Sequence, residues 1–243
     1  MYNSVMRELS KSIPRRSRDP LFFGTFFAGN AIDIGGAPDP LSMYTSFFPK
    51  IDSVKVWDLV DGDAQYMATC ENSSFDLVHS SHCLEHMQDP WIALENWYRI
   101  LKPGGHLVVL VPDEDLYEQG LFPSAFNSDH KWTFTIKKNG SWSAKSCNVF
   151  DLASHLSNLG ANILKISLEF SGYQGGWPRY DQSLLPTTEC SIELVVSKPP
   201  TEMSHIQQPN EQVRRILNQY KLDFQNLKKQ NQSDAPFQDS SEI

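Results

Sequence analysis

The chain has 243 residues, of which 40% are hydrophobic and 12% aromatic, and its formal net charge is −8. These values predict one sizeable globular domain with a real core and exclude a disordered chain. The acidic balance argues against binding to nucleic acid or to an anionic membrane surface, because both partners attract positive charge. A small neutral partner or a carbohydrate fits the charge better.

The four cysteines, Cys70, Cys83, Cys147 and Cys190, are scattered and form no CxxC pair. This spacing predicts free thiols in a reducing compartment rather than a disulfide framework. Residues 1–28 predict a helical N-terminal arm, and its apolar run, LFFGTFFA, is too short to span a bilayer. We therefore expect a soluble, cytoplasmic protein without a membrane span.

Residues 30–40, NAIDIGGAPDP, predict a buried strand that ends in two glycines. Gly35 and Gly36 permit a tight turn and the close approach of a ligand. Residues 41–48 then predict a helix. A strand, a glycine turn and a helix N-terminus together form a cradle for a small ligand, although the same pattern also occurs as a plain turn.

A second buried strand is predicted from Val54 to Leu59, with Asp58 near its end. An acidic side chain at this place in a nucleotide-binding sheet holds the hydroxyls of a ribose, and a solvated or capping aspartate is the plain alternative. The following residues, up to Met67, are turn-like. The crossover to the next strand is therefore predicted to be short.

Residues 75–112 predict a βαβ unit, FDLVHSSHCLEHMQDPWIALENWYRILKPGGHLVVLVP. The Asp-Pro pair at 89–90 predicts the start of its helix, and the Pro-Gly-Gly turn at 103–105 predicts the end. Further along, a helix is predicted at 149–159. Strands alternating with helices predict an α/β fold with an open, doubly wound sheet.

Three further segments complete the predicted organisation. Residues 113–145 and 171–187 form substrate or lid insertions, because connections this long in a compact domain are usually functional. The polar tail, 201–243, contains an apolar stripe at helical spacing within 209–230. The stripe predicts a helix that docks on its own domain or forms a homo-oligomer with another copy.

The pattern His82-Cys83-Leu84-Glu85-His86 matches the H-x-x-E-H signature of zinc peptidases. That chemistry needs both histidines on one continuous helix. Here the pattern follows a buried strand directly, and a new helix begins three residues later. The sequence therefore predicts loop residues and no metal ligands at this pattern, and leaves open a divalent ion held by Asp113, Asp129 and His130.

The segments DIGGAP, Asp58, GDA, FDLVHSSHCLEHMQDP and RILKPGG, in this order, resemble the class I S-adenosylmethionine-dependent methyltransferases. Within that class the chain is similar to bacterial enzymes that O-methylate sugars of surface polysaccharides. The resemblance covers residues 29–112 and continues more weakly to about residue 197. It implies a methyltransferase domain at 29–200 with a Rossmann-like, mostly parallel sheet of seven strands, one of them antiparallel.

The resemblance also implies which residues bind the cofactor, S-adenosyl-L-methionine. They are Asp33, Gly35 and Gly36 for its methionine part, Asp58 for the ribose, Asp63 and Ala64 for the adenine, and Ser80 and His82 near the sulfonium. Two departures are visible. Ala37 and Asp39 stand where the family usually has further glycines, and the link between Asp58 and Asp63 is short.

The expected reaction methylates a hydroxyl of a sugar, a nucleotide-sugar or a polysaccharide precursor. A hydroxyl is a poor nucleophile, so a general base is expected at the C-terminal edge of the sheet, and the candidates are His82, Asp113 and His130. Two alternatives stay open: a methyltransferase for another small molecule, and an inactive methyltransferase-like domain used for binding. A nicotinamide site is disfavoured because G-x-G-x-x-G is absent.

Overall fold

The computed structural model describes residues 7–176 and 178–201. The described strands are β1 (Gly29–Ile34), β2 (Ile51–Trp57), β3 (Phe75–Ser81), β4 (Leu101–Pro112), β5 (Thr133–Thr135), β6 (Ser146–Asn148), β7 (Asn162–Glu169) and β8 (Ser191–Ser197). The α-helices are α1 (Leu9–Arg16), α2 (Pro90–Ile100) and α3 (Val149–Asn158). The helix predicted at 209–230 lies outside the described residues. The domain limits and the cytoplasmic location stay predictions.

The main sheet has six strands in the order β2-β1-β3-β4-β8-β7, and β5 pairs with β6 in a separate ribbon. Strands β1 to β4 pair in parallel, whereas β8 is antiparallel to both of its neighbours. The doubly wound α/β sheet with one antiparallel strand is therefore confirmed, and the main sheet of the described chain has six strands, one fewer than the seven predicted.

Residues 58–74, which connect β2 to β3, form turns and contain no strand, in line with the short crossover predicted there. Local hydrogen bonds hold these turns: the Asp58 amide donates to Asp61 Oδ2 at 2.9 Å, and the Met67 amide donates to the Asp63 carbonyl at 3.0 Å. A backbone whose polar groups are satisfied locally has less need of a neighbouring strand.

Two hydrophobic cores cover the two faces of the sheet. Side chains alternate between the faces along each strand, so Ile32 and Ile34 of β1 join α2 and α3, whereas Ala31 joins the N-terminal arm. Strand β4 behaves alike, with Leu107 facing the helices and Val108 facing the arm. In the described part of the chain, no helix is long and apolar enough to cross a membrane.

Helix α2 begins where the Asp-Pro pair predicts. The Asp89 carboxylate accepts hydrogen bonds from the amides of Trp91 and Ile92, at 2.8 and 3.2 Å, and Pro90 occupies the first turn. The helix ends at Ile100, and β4 follows at once. Because these contacts fix the start of α2, the loop between β3 and α2 lies at the C-terminal edge of the sheet.

The N-terminal arm is anchored to β8 by buried ion pairs. Arg16 Nε lies 2.7 Å from Glu193 Oε2, and both side chains are fully buried. Nη1 of the same guanidinium donates to His79 Nε2 at 3.1 Å, and His79 Nδ1 in turn donates to Asp33 Oδ1 at 2.6 Å. The arm is thus linked through two buried side chains to the end of β1.

Candidate active site

Two adjoining cavities open at the C-terminal edge of β1, β2 and β3. The larger cavity measures about 770 Å³. Its lining includes five of the residues implied by the resemblance, Gly35, Asp58, Asp63, Ala64 and His82. It lies where open α/β sheets bind their ligands, and its volume is typical of a cofactor site.

The smaller cavity measures about 170 Å³ and shares Gly35, Ala37, His82 and His86 with the larger one. The remaining polar residues of its lining are Glu8, Asp33, Asp39, Ser81, Glu85, Tyr117, Asn127 and His130. Because the two cavities share a wall, a ligand in one could meet a ligand in the other.

The glycine turn after β1 leaves no room for side chains. Gly35 has a φ of +70°, and a Cβ there would lie 2.6 Å from Cys83 Sγ. A Cβ on Gly36 would run into the Asp33 carboxylate. Asp33 Oδ2 also accepts from the Leu41 amide at 2.6 Å. The predicted helix at 41–48 is a 3-10 helix, Leu41–Phe47, whose first amide is therefore already bonded within the protein.

Asp58 joins the end of β2 to the glycine turn. Its Oδ2 accepts from the Ala37 amide at 3.2 Å, and its Oδ1 accepts from the Leu59 amide at 2.8 Å. Each oxygen keeps a lone pair for a further donor. Leu59, which is 92% exposed, also lines the larger cavity and offers an apolar surface beside that carboxylate.

Ser80 and Asp113, both predicted site residues, line neither cavity. The Ser80 hydroxyl is fully buried and donates to the Ile34 carbonyl at 3.0 Å, so it joins β3 to β1. Asp113 caps a short helical turn by accepting from the amides of Asp115 and Leu116. Burial raises the pKa of Asp113 to about 6. The structure thus places neither side chain at the wall of these two cavities.

His82 lies between the two cavities in an unusual backbone conformation. Its φ is 53°, in the left-handed region that few residues other than glycine adopt. Its Nε2 lies 2.9 Å from Ser191 Oγ, and its Nδ1 faces Glu85 Oε1 at 3.7 Å. Burial lowers the pKa of His82 well below its ordinary value, with the charges of Lys11 and neighbouring histidines adding to this effect.

His130 reaches the smaller cavity from the long loop after β4. Its Nδ1 donates to Glu118 Oε1 at 2.7 Å, and its Nε2 faces Glu85 Oε1 at 3.8 Å. Burial alone would lower the pKa of His130, but the hydrogen bond to Glu118 and the charge of Glu85 outweigh it, so the pKa is raised. The structure thus brings His82 and His130 to the wall of one cavity.

Sequence reasoning missed Glu8, Tyr117 and Asn127, which also line the smaller cavity. Glu8 comes from the N-terminal arm, and burial raises its pKa to about 7 despite a 2.8 Å ion pair with Lys11. No sequence signal connects the arm to the sheet edge. Glu85 was expected only to position the loop, yet its buried carboxylate lies at the cavity wall.

Comparison with known proteins is consistent with this geometry. Residues 42–109 match the family described as "Methyltransferase domain", and no curated protein matches the chain. A SAM-dependent methyltransferase structure from Archaeoglobus fulgidus is 17% identical, covering 79% of this chain and 94% of its own, with a TM-score of 0.50. An S-adenosylmethionine-dependent methyltransferase from Clostridium acetobutylicum is 14% identical, covering 78% and 91%, with a TM-score of 0.47.

The residues present also fit the cofactor of this class. Gly35 of the glycine turn and Asp58 both line the larger cavity, and the Asp58 oxygens keep lone pairs for hydroxyl donors. The sheet has the fold of the class I methyltransferases, which use S-adenosylmethionine, and residues 42–109 of the chain match a methyltransferase domain.

Proposed function

We propose that this enzyme methylates a hydroxyl of a sugar or of a nucleotide-linked sugar. The observation that carries the proposal is the lining of the smaller cavity, where carboxylates and imidazoles are concentrated. No lysine or arginine of the described chain lines that cavity. Carboxylates and imidazoles can form hydrogen bonds with hydroxyls, whereas a phosphate or carboxylate at the reacting end of an acceptor would find no lysine or arginine to pair with.

The same lining favours oxygen over nitrogen as the methylated atom. Carboxylates such as Glu8, Asp39 and Glu85 stabilise the protonated form of an amine and so raise its pKa. A protonated amine has no lone pair with which to attack a methyl group. A hydroxyl stays neutral in the same surroundings and keeps its nucleophilic lone pairs.

S-adenosylmethionine supplies an electrophilic methyl group on a sulfonium. The residues that would hold it are Gly35 and Gly36 beside its methionine part, Asp58 at the ribose, and Asp63 with Ala64 near the adenine. The protein's main contribution would be to fix acceptor and donor within reach of one another, because the leaving group is built into the cofactor.

His82 is the base that the geometry favours. It lines both cavities, and the contact between its Nε2 and Ser191 leaves Nδ1 towards the smaller cavity. A hydroxyl bound there would donate its proton to Nδ1 as the methyl group is transferred. Asp113 lines neither cavity, and His130 lines only the smaller one, whereas His82 also lines the cavity proposed for the cofactor.

The test combines a binding measurement with a substrate screen. Calorimetry with S-adenosylhomocysteine checks the cofactor site, and a panel of sugars and nucleotide-sugars with methyl-labelled cofactor checks the acceptor class. We expect label in at least one sugar hydroxyl and a transfer rate lowered about 10²–10⁴-fold by His82→Ala with cofactor affinity kept. His155→Ala, at a half-exposed pair with Glu95, is the matched control. Label found only in amines or in non-sugar acceptors would refute the acceptor class.

A further inference from the structure

One buried carboxylate in the smaller cavity is surrounded by imidazole nitrogens at uniform distances. Glu85 Oε1 lies 3.7 Å from His82 Nδ1, 3.9 Å from His86 Nε2 and 3.8 Å from His130 Nε2. These separations are too long for hydrogen bonds. Two ligand atoms that bind one metal ion at about 2.0–2.2 Å each are roughly 3–4 Å apart, which is the spacing seen here.

The Glu85 carboxylate has no hydrogen-bond partner. Its side chain is completely buried, and neither of its oxygens is satisfied by a donor. Within residues 7–176 and 178–201, its ionic neighbours are histidines, with no lysine or arginine among them. An unpaired buried carboxylate is costly, and such groups in proteins are paired or coordinate metals. A cation bound beside Glu85 inside the cavity would compensate this buried negative charge.

Outer carboxylates orient two of these imidazoles. His130 Nδ1 donates to Glu118 Oε1 at 2.7 Å, and His86 Nδ1 lies 3.0 Å from Asp129 Oδ2. In each ring this leaves Nε2 facing Glu85. A histidine that binds a metal through one nitrogen and a carboxylate through the other is the usual arrangement at metal sites, where the outer partner fixes the tautomer.

We propose that Glu85, His86 and His130 form a binding site for a divalent transition metal ion. Their ligand atoms all lie within 4.8 Å of one another, and in the described chain no other group of three His, Cys, Asp or Glu residues has this property. Two imidazoles and one carboxylate suit Zn²⁺, Co²⁺, Fe²⁺ or Mn²⁺ better than Mg²⁺ or Ca²⁺, which prefer all-oxygen ligands. The set that the sequence left open, Asp113 with Asp129 and His130, is not brought together.

Three protein ligands leave a coordination position open, as catalytic zinc sites do. All three residues line the smaller cavity, so the open position faces the space assigned to the acceptor. A hydroxyl bound to the ion would become more acidic and hence easier to deprotonate. This consequence rests on the proposed function, whereas metal binding itself does not.

Metal binding is tested with protein that carries no polyhistidine tag and has been freed of metal by a chelator. Co²⁺ is the probe, because its visible absorption reports imidazole coordination. We expect one equivalent to bind, and His86→Gln and Glu85→Gln to weaken binding at least tenfold. Asp129→Asn should weaken it about tenfold or more, because it removes an outer partner. His155→Gln, at a pair outside the cavities, should leave it unchanged.

Thermal unfolding gives a second readout of metal binding, which also applies to a variant whose stability is changed. In chelator, Glu85→Gln should be at least as stable as the unsubstituted protein, because it removes a buried charge. At a Co²⁺ concentration a hundredfold above the dissociation constant, the unsubstituted protein should gain about 5–10 °C in Tm and the variant should not. A purely structural carboxylate would give the same difference with and without Co²⁺.

Stoichiometric Co²⁺ binding that is lost in His86→Gln and Glu85→Gln supports the site. Absent binding, or equal binding by these variants, overturns it. Calorimetry with S-adenosylhomocysteine on the same samples separates the two proposals. Loss of cofactor binding with Co²⁺ binding retained would count against the proposed function alone, and the reverse result would count against the metal site alone.

Discussion

The charge of Glu193 is predicted to hold the N-terminal arm on the sheet. The carboxylate is fully buried on β8 and lies 2.7 Å from Arg16 Nε, 2.8 Å from Arg15 and 2.7 Å from Lys165. Changing Glu193 to Gln removes the negative charge while keeping the shape, and leaves the buried Arg16 guanidinium without its counter-ion. Breaking a buried ion pair from one side costs about 3–5 kcal/mol.

For a domain of this size, each kcal/mol lowers Tm by about 2–4 °C, so Glu193→Gln should lower Tm by about 6–20 °C. Circular dichroism during heating at pH 7 measures this change. Asp151→Asn, which breaks the exposed ion pair with Lys137, is the control and should cost less than about 1 kcal/mol. A Tm for Glu193→Gln within 2 °C of that of the unsubstituted protein would mean that the substitution costs only about 0.5–1 kcal/mol of stability or less. That result would refute the reasoning.

Three further predictions concern pH and the cofactor. The basic neighbours of Glu193 hold its pKa in the folded protein far below the ordinary value of 4.5, although burial acts in the opposite direction. The stabilisation by this carboxylate is therefore present above pH 4.5 and is lost as the pH falls. The Tm difference between Glu193→Gln and the unsubstituted protein should shrink in acid. Asp58→Asn should weaken S-adenosylhomocysteine binding about tenfold or more in calorimetry, because hydrogen bonds to a charged group contribute about 1.5–3 kcal/mol, and unchanged affinity would argue against the ribose role. Gly36→Ala should lower both cofactor affinity and Tm, since its Cβ meets Asp33, whereas Gly140→Ala meets nothing within 4 Å and should change neither.

The sheet was predictable where local signals agree. The capping Asp-Pro pair and the apolar run of β4 each specify their element from nearby residues alone, and the structure has both. The turn predicted at Pro103-Gly104-Gly105 is not a separate element, because α2 already ends at Ile100 and these residues belong to β4. The strand count was not predictable in the same way. Residues 58–74 can either pair with a distant strand at the sheet edge or form local turn hydrogen bonds. The sequence of this segment alone does not show which of the two is more stable.

For the site, side chains that follow strand ends were easier to place than those within or beyond the strands. Gly35 and Asp58 follow parallel strands directly, so the shared edge of the sheet brings them together. Ser80 lies within β3, where the direction of a side chain depends on its exact position in the alternation, and there the hydroxyl turns to β1. Glu8 could not be placed, because an arm outside the sheet has no strand register.

The H-x-x-E-H pattern shows where reasoning from secondary structure stops. The sequence argues against a metal site at this pattern because its two histidines do not share one helix. In the structure they do not: His82 follows β3, and His86 ends a short 3-10 turn. Yet a site needs only ligand atoms at the right separation. The loop after β4 returns over the edge of the sheet and brings His130 opposite Glu85, 45 residues apart in sequence, with Glu118 orienting its ring. Closure of that loop, rather than the spacing within the pattern, assembles the three ligands that we propose.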